Sequence, residues 1–105
     1  MKSNTDLIYR DIDSSPALNT IIQKKLDKLY RYSNSIIHSR VVLDSPHKHK
    51  HKGKLFRASI EIAIKGKPIT VSSDDTSVHI AVRDAFIAAE RRLKSNLGKR
   101  NETRH

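Results

Sequence analysis

The sequence predicts an α+β two-layer sandwich, in which both helices cover one face of a four-stranded sheet in the order β-α-β-β-β-α. Three observations support this prediction. Two segments carry apolar residues at helical spacing, one segment alternates apolar and polar residues as strands do, and turn-forming residues separate the segments. With 105 residues and no cysteine, the chain has the length of one domain that forms its core without disulfides.

The first half of the chain predicts a strand, a helix and a second strand. Residues 5–12, "TDLIYRDI", contain β-formers. Pro16 suits the first position of a helix over 16–32, because polar capping residues precede it. Residues 35–44, "SIIHSRVVLD", are rich in β-branched residues and predict the next strand. The apolar stripe of the helix consists of Leu18, Ile21, Ile22, Leu26 and Leu29.

The second half predicts a hairpin and a long helix. Residues 55–64, "LFRASIEIAI", alternate apolar and polar residues, which is typical of a sheet covered on one side. Gly66 supplies the turn to a short strand over 69–73. A helix over 76–97 should end at Gly98. Its core stripe consists of Val78, Val82, Ala85, Phe86, Ala89 and Leu93. We predict one domain over 1–97 and a disordered basic tail over 98–105.

Positive charge is the strongest overall signal in the composition. Lys and Arg number 21 against 11 Asp and Glu, which gives a net charge of +10. Residues 20–57 hold ten Lys or Arg and two Asp, so this segment alone carries +8. A clustered excess of this kind predicts an anionic partner. Nucleic acid is favoured over a membrane, because no segment is strongly apolar on one face and basic on the other.

The central segment "HKHKHKGK", residues 47–54, has two interpretations. In an extended chain the three histidines point the same way and could bind zinc. The interleaved lysines and the absence of a nearby carboxylate argue against a metal, so we predict no metal site. Contact with RNA and a merely solvated loop remain open for this segment alone. The residues in question are His47, Lys48, His49, Lys50, His51, Lys52 and Lys54.

The two helices favour the RNA interpretation. Lys24, Lys28 and Arg31 lie on one exposed face of the first helix, while Lys25 borders its apolar stripe. On the second helix Arg83, Arg91 and Lys94 lie opposite the core stripe, and Ile80 and Ile87 share their face. Exposed isoleucines on a basic face indicate a partner, unless they pack against the first helix or another copy. Tyr30 and Tyr32 point in different directions, so at most one can face outward to stack on bases, and we expect one or both to complete the core.

Catalysis finds no support in the sequence. The chain has three glycines and no glycine-rich phosphate loop, and we find no pairing of a nucleophile with a base. We therefore expect no enzymatic activity, no cofactor and no small-molecule substrate. No signal peptide or membrane-spanning segment is apparent, and the lack of cysteine is compatible with a reducing cytoplasm.

The chain resembles the ribosome hibernation promoting factor / ribosome-associated inhibitor family. The resemblance depends on "SSPALNTIIQKKLDKL", "VHIAVRDAFIAAERRLKSNL" and the stretch "SRVVLDSPHKHKHKGKLFRASIEIAIKGKPITV", in this order, and covers about residues 5–97. It implies a fold similar to double-stranded RNA-binding domains. It also implies binding to the small ribosomal subunit in the channel for tRNA and mRNA, which silences translation in starved or stationary cells.

The resemblance also assigns residues and partners. Small-subunit rRNA would contact Lys24, Lys25, Lys28 and Arg31 of the first helix and Arg83, Arg91, Arg92 and Lys94 of the second, while residues 47–54 match one branch of the family. Long members carry a further C-terminal domain, so we expect a short, single-domain form that is monomeric off the ribosome and ribosome-associated in the cytoplasm. Two alternatives remain: an RNA-binding module that acts off the ribosome, and a metal-responsive protein.

Overall fold

The computed structural model describes residues 5–33, 35–45 and 55–103, with side chains as far as residue 95. The six elements confirm the predicted type and order. They are β1 (Thr5–Arg10), α1 (Pro16–Tyr32), β2 (Ile36–Asp44), β3 (Phe56–Ile64), β4 (Ile69–Asp75) and α2 (Val78–Thr103). Within the described ranges, no helix is long and apolar enough to cross a membrane.

The sheet has the strand order β1-β2-β3-β4. β1 pairs with β2 in parallel, and this pairing requires a crossover connection, which α1 provides. The strands β2, β3 and β4 form an antiparallel meander, with Gly66 at φ 103° in the turn between the last two. α2 then returns over β3 and β4. Side chains of both helices and of one sheet face form a single core, which confirms the two-layer arrangement.

The register of the strands places every second side chain in this core. Val41 lies between Leu7 of β1 and Ile60 of β3, and Ile60 lies beside Val71 of β4. Val41 and Ile60 are fully buried. The predicted helix stripes are confirmed, although Ile21 and Val78 are only half-buried. The buried helix residues are Leu18, Ile22, Leu26, Leu29, Ala81, Val82, Ala85, Phe86, Ala89 and Leu93.

Local chemistry explains where α1 begins. Ser15 is the N-cap, and its hydroxyl accepts a hydrogen bond from the Leu18 amide at 3.2 Å. Pro16 occupies the first turn, as the sequence predicts. β1 ends at Arg10 rather than at Ile12, because Asp11 adopts a left-handed conformation with φ 59°. Asp tolerates this conformation better than most residues, and it turns the chain towards the helix.

The end of α2 differs from the prediction. The helix continues to Thr103, so Gly98 is not a C-cap and residues 98–103 of the predicted disordered tail are helical. A single glycine inside a helix costs about 1 kcal/mol relative to alanine, which is too little to end a long helix by itself. The domain boundary at residue 97 stays a prediction.

A polar cluster joins the end of α1 to the middle of α2. The Tyr32 hydroxyl donates to Glu90 Oε2 at 2.8 Å. Lys94 Nζ lies 3.3 Å from the same oxygen and 5.0 Å from the centre of the Tyr32 ring. Lys28 Nζ lies 3.9 Å from Glu90 Oε1. The hydrogen bond from Tyr32, together with the two ammonium groups, holds the pKa of Glu90 below its ordinary value of 4.5.

We expect Tyr32→Phe to lower the free energy of unfolding by about 1 kcal/mol at neutral pH, because it removes one hydrogen bond to a carboxylate but keeps the ring. A carboxylate with a depressed pKa stabilises the fold above its unfolded-state pKa, and this contribution disappears as the pH falls through the folded-state pKa. The difference between wild type and variant should therefore shrink in acid. Urea unfolding at about pH 7 and about pH 3 measures it.

Tyr9→Phe provides the matched control for this measurement. The Tyr9 hydroxyl donates to Asn19 Oδ1 at 2.7 Å, and an amide does not titrate. Tyr9→Phe should therefore lower the free energy of unfolding by the same amount at both pH values. If the loss of unfolding free energy in Tyr32→Phe is also independent of pH, then Tyr32 does not stabilise the fold through the ionised form of Glu90.

Candidate nucleic-acid interface

The outer face of the sheet carries a balanced set of charges. The register aligns Arg10, Asp44, Arg57 and Asp74 across the four strands, so that the sign alternates from strand to strand. Arg57 donates to both oxygens of Asp74, from Nε at 2.8 Å and from the second guanidinium nitrogen at 3.1 Å. This hydrogen-bonded pair raises the pKa of Arg57 above its ordinary value.

The neighbouring row on this face repeats the pattern. Asp6 of β1 lies beside Arg40 of β2, which lies beside Glu61 of β3. Arg40 is 3.8 Å and His38 is 3.3 Å from the Asp6 carboxylate. Three arginines therefore face four carboxylates across the two rows. The outer sheet face has no excess of positive charge with which to attract a polyanion.

The helices carry the positive charge instead. All eight predicted cations on them lie at the surface, and only Lys25 is half-buried. Their core stripes force this arrangement, because the buried positions fix which sides of α1 and α2 remain in water. As far as residue 95, the helices carry three carboxylates: Asp27, Asp84 and Glu90. The cations are Lys24, Lys25, Lys28, Arg31, Arg83, Arg91, Arg92 and Lys94.

The eight cations differ in their partners. Lys28 and Lys94 share Glu90, and Arg83 lies 3.1 Å from the carboxylate of its neighbour Asp84. The other five have no ion pair within the described residues, so their charge is available to a partner. These five are Lys24, Lys25, Arg31, Arg91 and Arg92.

Sequence reasoning did not find the part that Glu90 plays. The spacing of Glu90 and Lys94 by four residues was a usable signal for one ion pair, because such residues are neighbours on a helix. The contact with Lys28 depends on how the two helices pack, which the sequence does not reveal. The consequence is that Lys28 and Lys94 are held in place, whereas Lys24 and Arg31 are not.

A groove runs between the two helices on their outer side. Its walls carry Lys25 and Lys28 from α1 and Arg83 and Glu90 from α2, and its volume is about 230 Å³. Its apolar lining consists of Leu29, Phe86 and Ile87.

The two isoleucines of α2 differ in their surroundings. Ile87 is 44% exposed, whereas Ile80 is half-buried, so only Ile87 fits the prediction of an exposed isoleucine on the basic face. Tyr30 and Tyr32 are both partly buried against the core, as predicted. The Tyr30 hydroxyl lies 3.0 Å from Ser39 Oγ. Neither tyrosine is fully exposed.

The predicted His–Lys segment, residues 47–54, lies outside the described residues. Its flanks are tied together, since Ser45 at the end of β2 donates through Oγ to the Leu55 carbonyl at 3.0 Å. Both helices begin at this same end of the sheet, where β1, β2 and β4 end. Among the described residues, no group of three or more His, Asp or Glu could hold a metal ion. The contact of residues 47–54 with RNA, and the expectation that they hold no metal, stay predictions.

Two solved structures have the same fold as this chain. The crystal structure of the N-terminal domain of Protein Y from Thermus thermophilus has a TM-score of 0.73 and 27% identity, over 90% of this chain and 98% of that one. A ribosomal subunit interface protein from Coxiella burnetii has a TM-score of 0.77 and 15% identity over the same shares, and this likeness shows the fold alone. No curated protein sequence matches the chain.

A family model matches residues 6–101, and its description is sigma 54 modulation protein / S30EA ribosomal protein. This match, together with the Thermus thermophilus structure, confirms the family resemblance that the helix and loop segments predict. Because the model spans nearly the whole chain, we conclude that the chain belongs to the sigma 54 modulation protein / S30EA ribosomal protein family.

Proposed function

We propose that the chain binds the small ribosomal subunit in the channel for tRNA and mRNA, and that its presence there inhibits translation in starved or stationary cells. Its family makes it a ribosome-associated protein. The observation that supports binding to the rRNA channel is the difference in charge between the helix side of the domain and the outer face of the sheet. The helices present five cations without an ion pair in the described chain, whereas the outer sheet face is balanced.

The mechanism is steric and electrostatic and involves no covalent chemistry. The channel is lined by rRNA phosphates, which the Lys and Arg side chains of α1 and α2 contact. Such contacts fix the position of a protein on RNA without reading its sequence. The core holds both helices on one rigid sheet, so their cations approach the RNA as one surface. Once bound, the domain occupies the space that tRNA needs.

The family match supports a ribosomal site of action, because its description names a ribosomal protein and it spans residues 6–101. An RNA-binding module that acts off the ribosome would carry similar charges. It would bind an isolated RNA duplex as tightly as it binds the small subunit. Sedimentation with purified small subunits, in competition with duplex RNA, therefore separates the two functions.

We expect binding to small subunits to weaken steeply with salt. If the five unpaired cations each neutralise one phosphate, doubling the salt concentration should weaken binding roughly 10- to 20-fold, because counterions compete for each contact. Filter binding at several potassium concentrations measures the slope. An affinity that hardly changes with salt would contradict phosphate binding by these residues.

We expect Lys24→Glu combined with Arg31→Glu to weaken small-subunit binding at least about 10-fold and to reduce the salt slope by about 2, since two phosphate contacts are lost. Both side chains are exposed and lie on one face of α1, so the fold should persist. Circular dichroism checks the fold, and sedimentation with small subunits measures the binding.

The matched control is Arg10→Glu combined with Arg40→Glu, which changes the net charge equally but on the outer sheet face. This control should retain most of the binding. Equal losses in the two double variants would mean that net charge alone, and not the helix surface, determines affinity.

A further inference from the structure

We propose that the groove between α1 and α2 holds one unpaired RNA base, whose neighbouring phosphates lie on the cationic walls. This inference depends on the proposed function, because it names what the same surface takes from the rRNA. The groove is lined by Lys25, Lys28, Arg83 and Glu90, with Leu29, Phe86 and Ile87 as its apolar part.

The apolar lining of the groove favours an apolar occupant, because Ile87 is exposed there. Ile87 is 44% exposed, and within the described residues only one other large hydrophobic side chain, Ile37, is comparably exposed. Phe86 and Leu29, which line the groove with Ile87, are almost fully buried, so the core holds them in place. A flat ring laid on these side chains would remove Ile87 from water.

The walls of the groove favour an anionic occupant, because three cations lie beside one carboxylate, Glu90. Lys25 and Lys28 stand on one side and Arg83 on the other. A nucleotide combines an apolar ring with a phosphate, and so it matches both parts of the groove. An apolar side chain of a ribosomal protein would match the lining but would leave Lys25, which has no ion pair within the described residues, without an anionic partner. Charge complementarity therefore favours RNA.

Glu90 explains why the base should be unpaired. Its Oε2 accepts from Tyr32 and lies near Lys94, but its Oε1 has only the long 3.9 Å contact with Lys28. Oε1 can therefore accept a further hydrogen bond. A carboxylate only accepts, and every RNA base carries an N–H group on its Watson–Crick edge. That edge is free to donate only when the base is unpaired.

The size of the groove limits it to one base. At about 230 Å³ it is smaller than the sites of roughly 300 Å³ or more that hold drug-sized ligands. A single ring system therefore fits it better than a stacked pair of bases.

The test uses the full chain with purified small ribosomal subunits. Ile87→Ser should weaken binding about 10-fold, at the low end of the loss for one stacked base, because the side chain is aliphatic. The salt slope should not change, since no charge is removed. Chemical probing of the rRNA should show one unpaired base whose Watson–Crick edge the wild type protects and the Ile87→Ser variant exposes. Ile37→Ser is the matched control, since Ile37 is 59% exposed and lies in β2 rather than on a helix.

The possible results separate the two proposals. Wild-type affinity for Ile87→Ser would overturn the base-binding groove and leave the proposed function intact. Weakened binding without a change at any rRNA base would also overturn it, and would assign the groove to a side chain of a ribosomal protein. Failure of the wild type to bind small subunits would overturn the proposed function and this inference together.

Discussion

Burial of one sheet face beneath two helices is the constraint on which the rest of the structure depends. Val41, Leu43, Ala58 and Ile60 of β2 and β3 are fully buried, and the apolar stripes of both helices cover them. Because side chains alternate across a strand, this burial also fixes which residues face water on the other side of the sheet. The same constraint decides where every charged side chain can lie.

The distribution of charge follows from this packing. On the outer sheet face, arginine and carboxylate alternate between neighbouring strands, so that each charge lies near its opposite. On the helices the cations exceed the carboxylates. Among the described side chains, Glu90 is the carboxylate that joins the two helices, through its contacts with Lys28, Lys94 and Tyr32. The result is a domain with one cationic side and one nearly neutral side, which orients it on a polyanion.

The sequence predicted the elements well because each has a local cause. Ser15 and Pro16 mark the start of α1, and alternation from Phe56 to Ile64 marks β3. The errors arose where local signals are weak or where the tertiary structure decides. Asp11 ended β1 early through its backbone conformation, and Gly98 did not end α2.

The site was predicted in part. The exposed cations follow from helical periodicity, so they could be assigned to a surface from the sequence. The sequence could not show which of these cations already form ion pairs, because the Lys28–Glu90 contact depends on the packing of α1 against α2. For the same reason the groove that exposes Ile87 beside Lys25 and Arg83 became visible only in the structure.

The most direct measurement is directed hydroxyl-radical probing of small subunits from iron tethered to single cysteines, for which the chain is suited because it has no cysteine of its own. Gln23→Cys places the tether on the exposed face of α1, and Ser72→Cys places it on the outer face of β4. We expect strong rRNA cleavage, in the channel for tRNA and mRNA, from Gln23→Cys and weak cleavage from Ser72→Cys. Stronger cleavage from the sheet side would contradict this expectation.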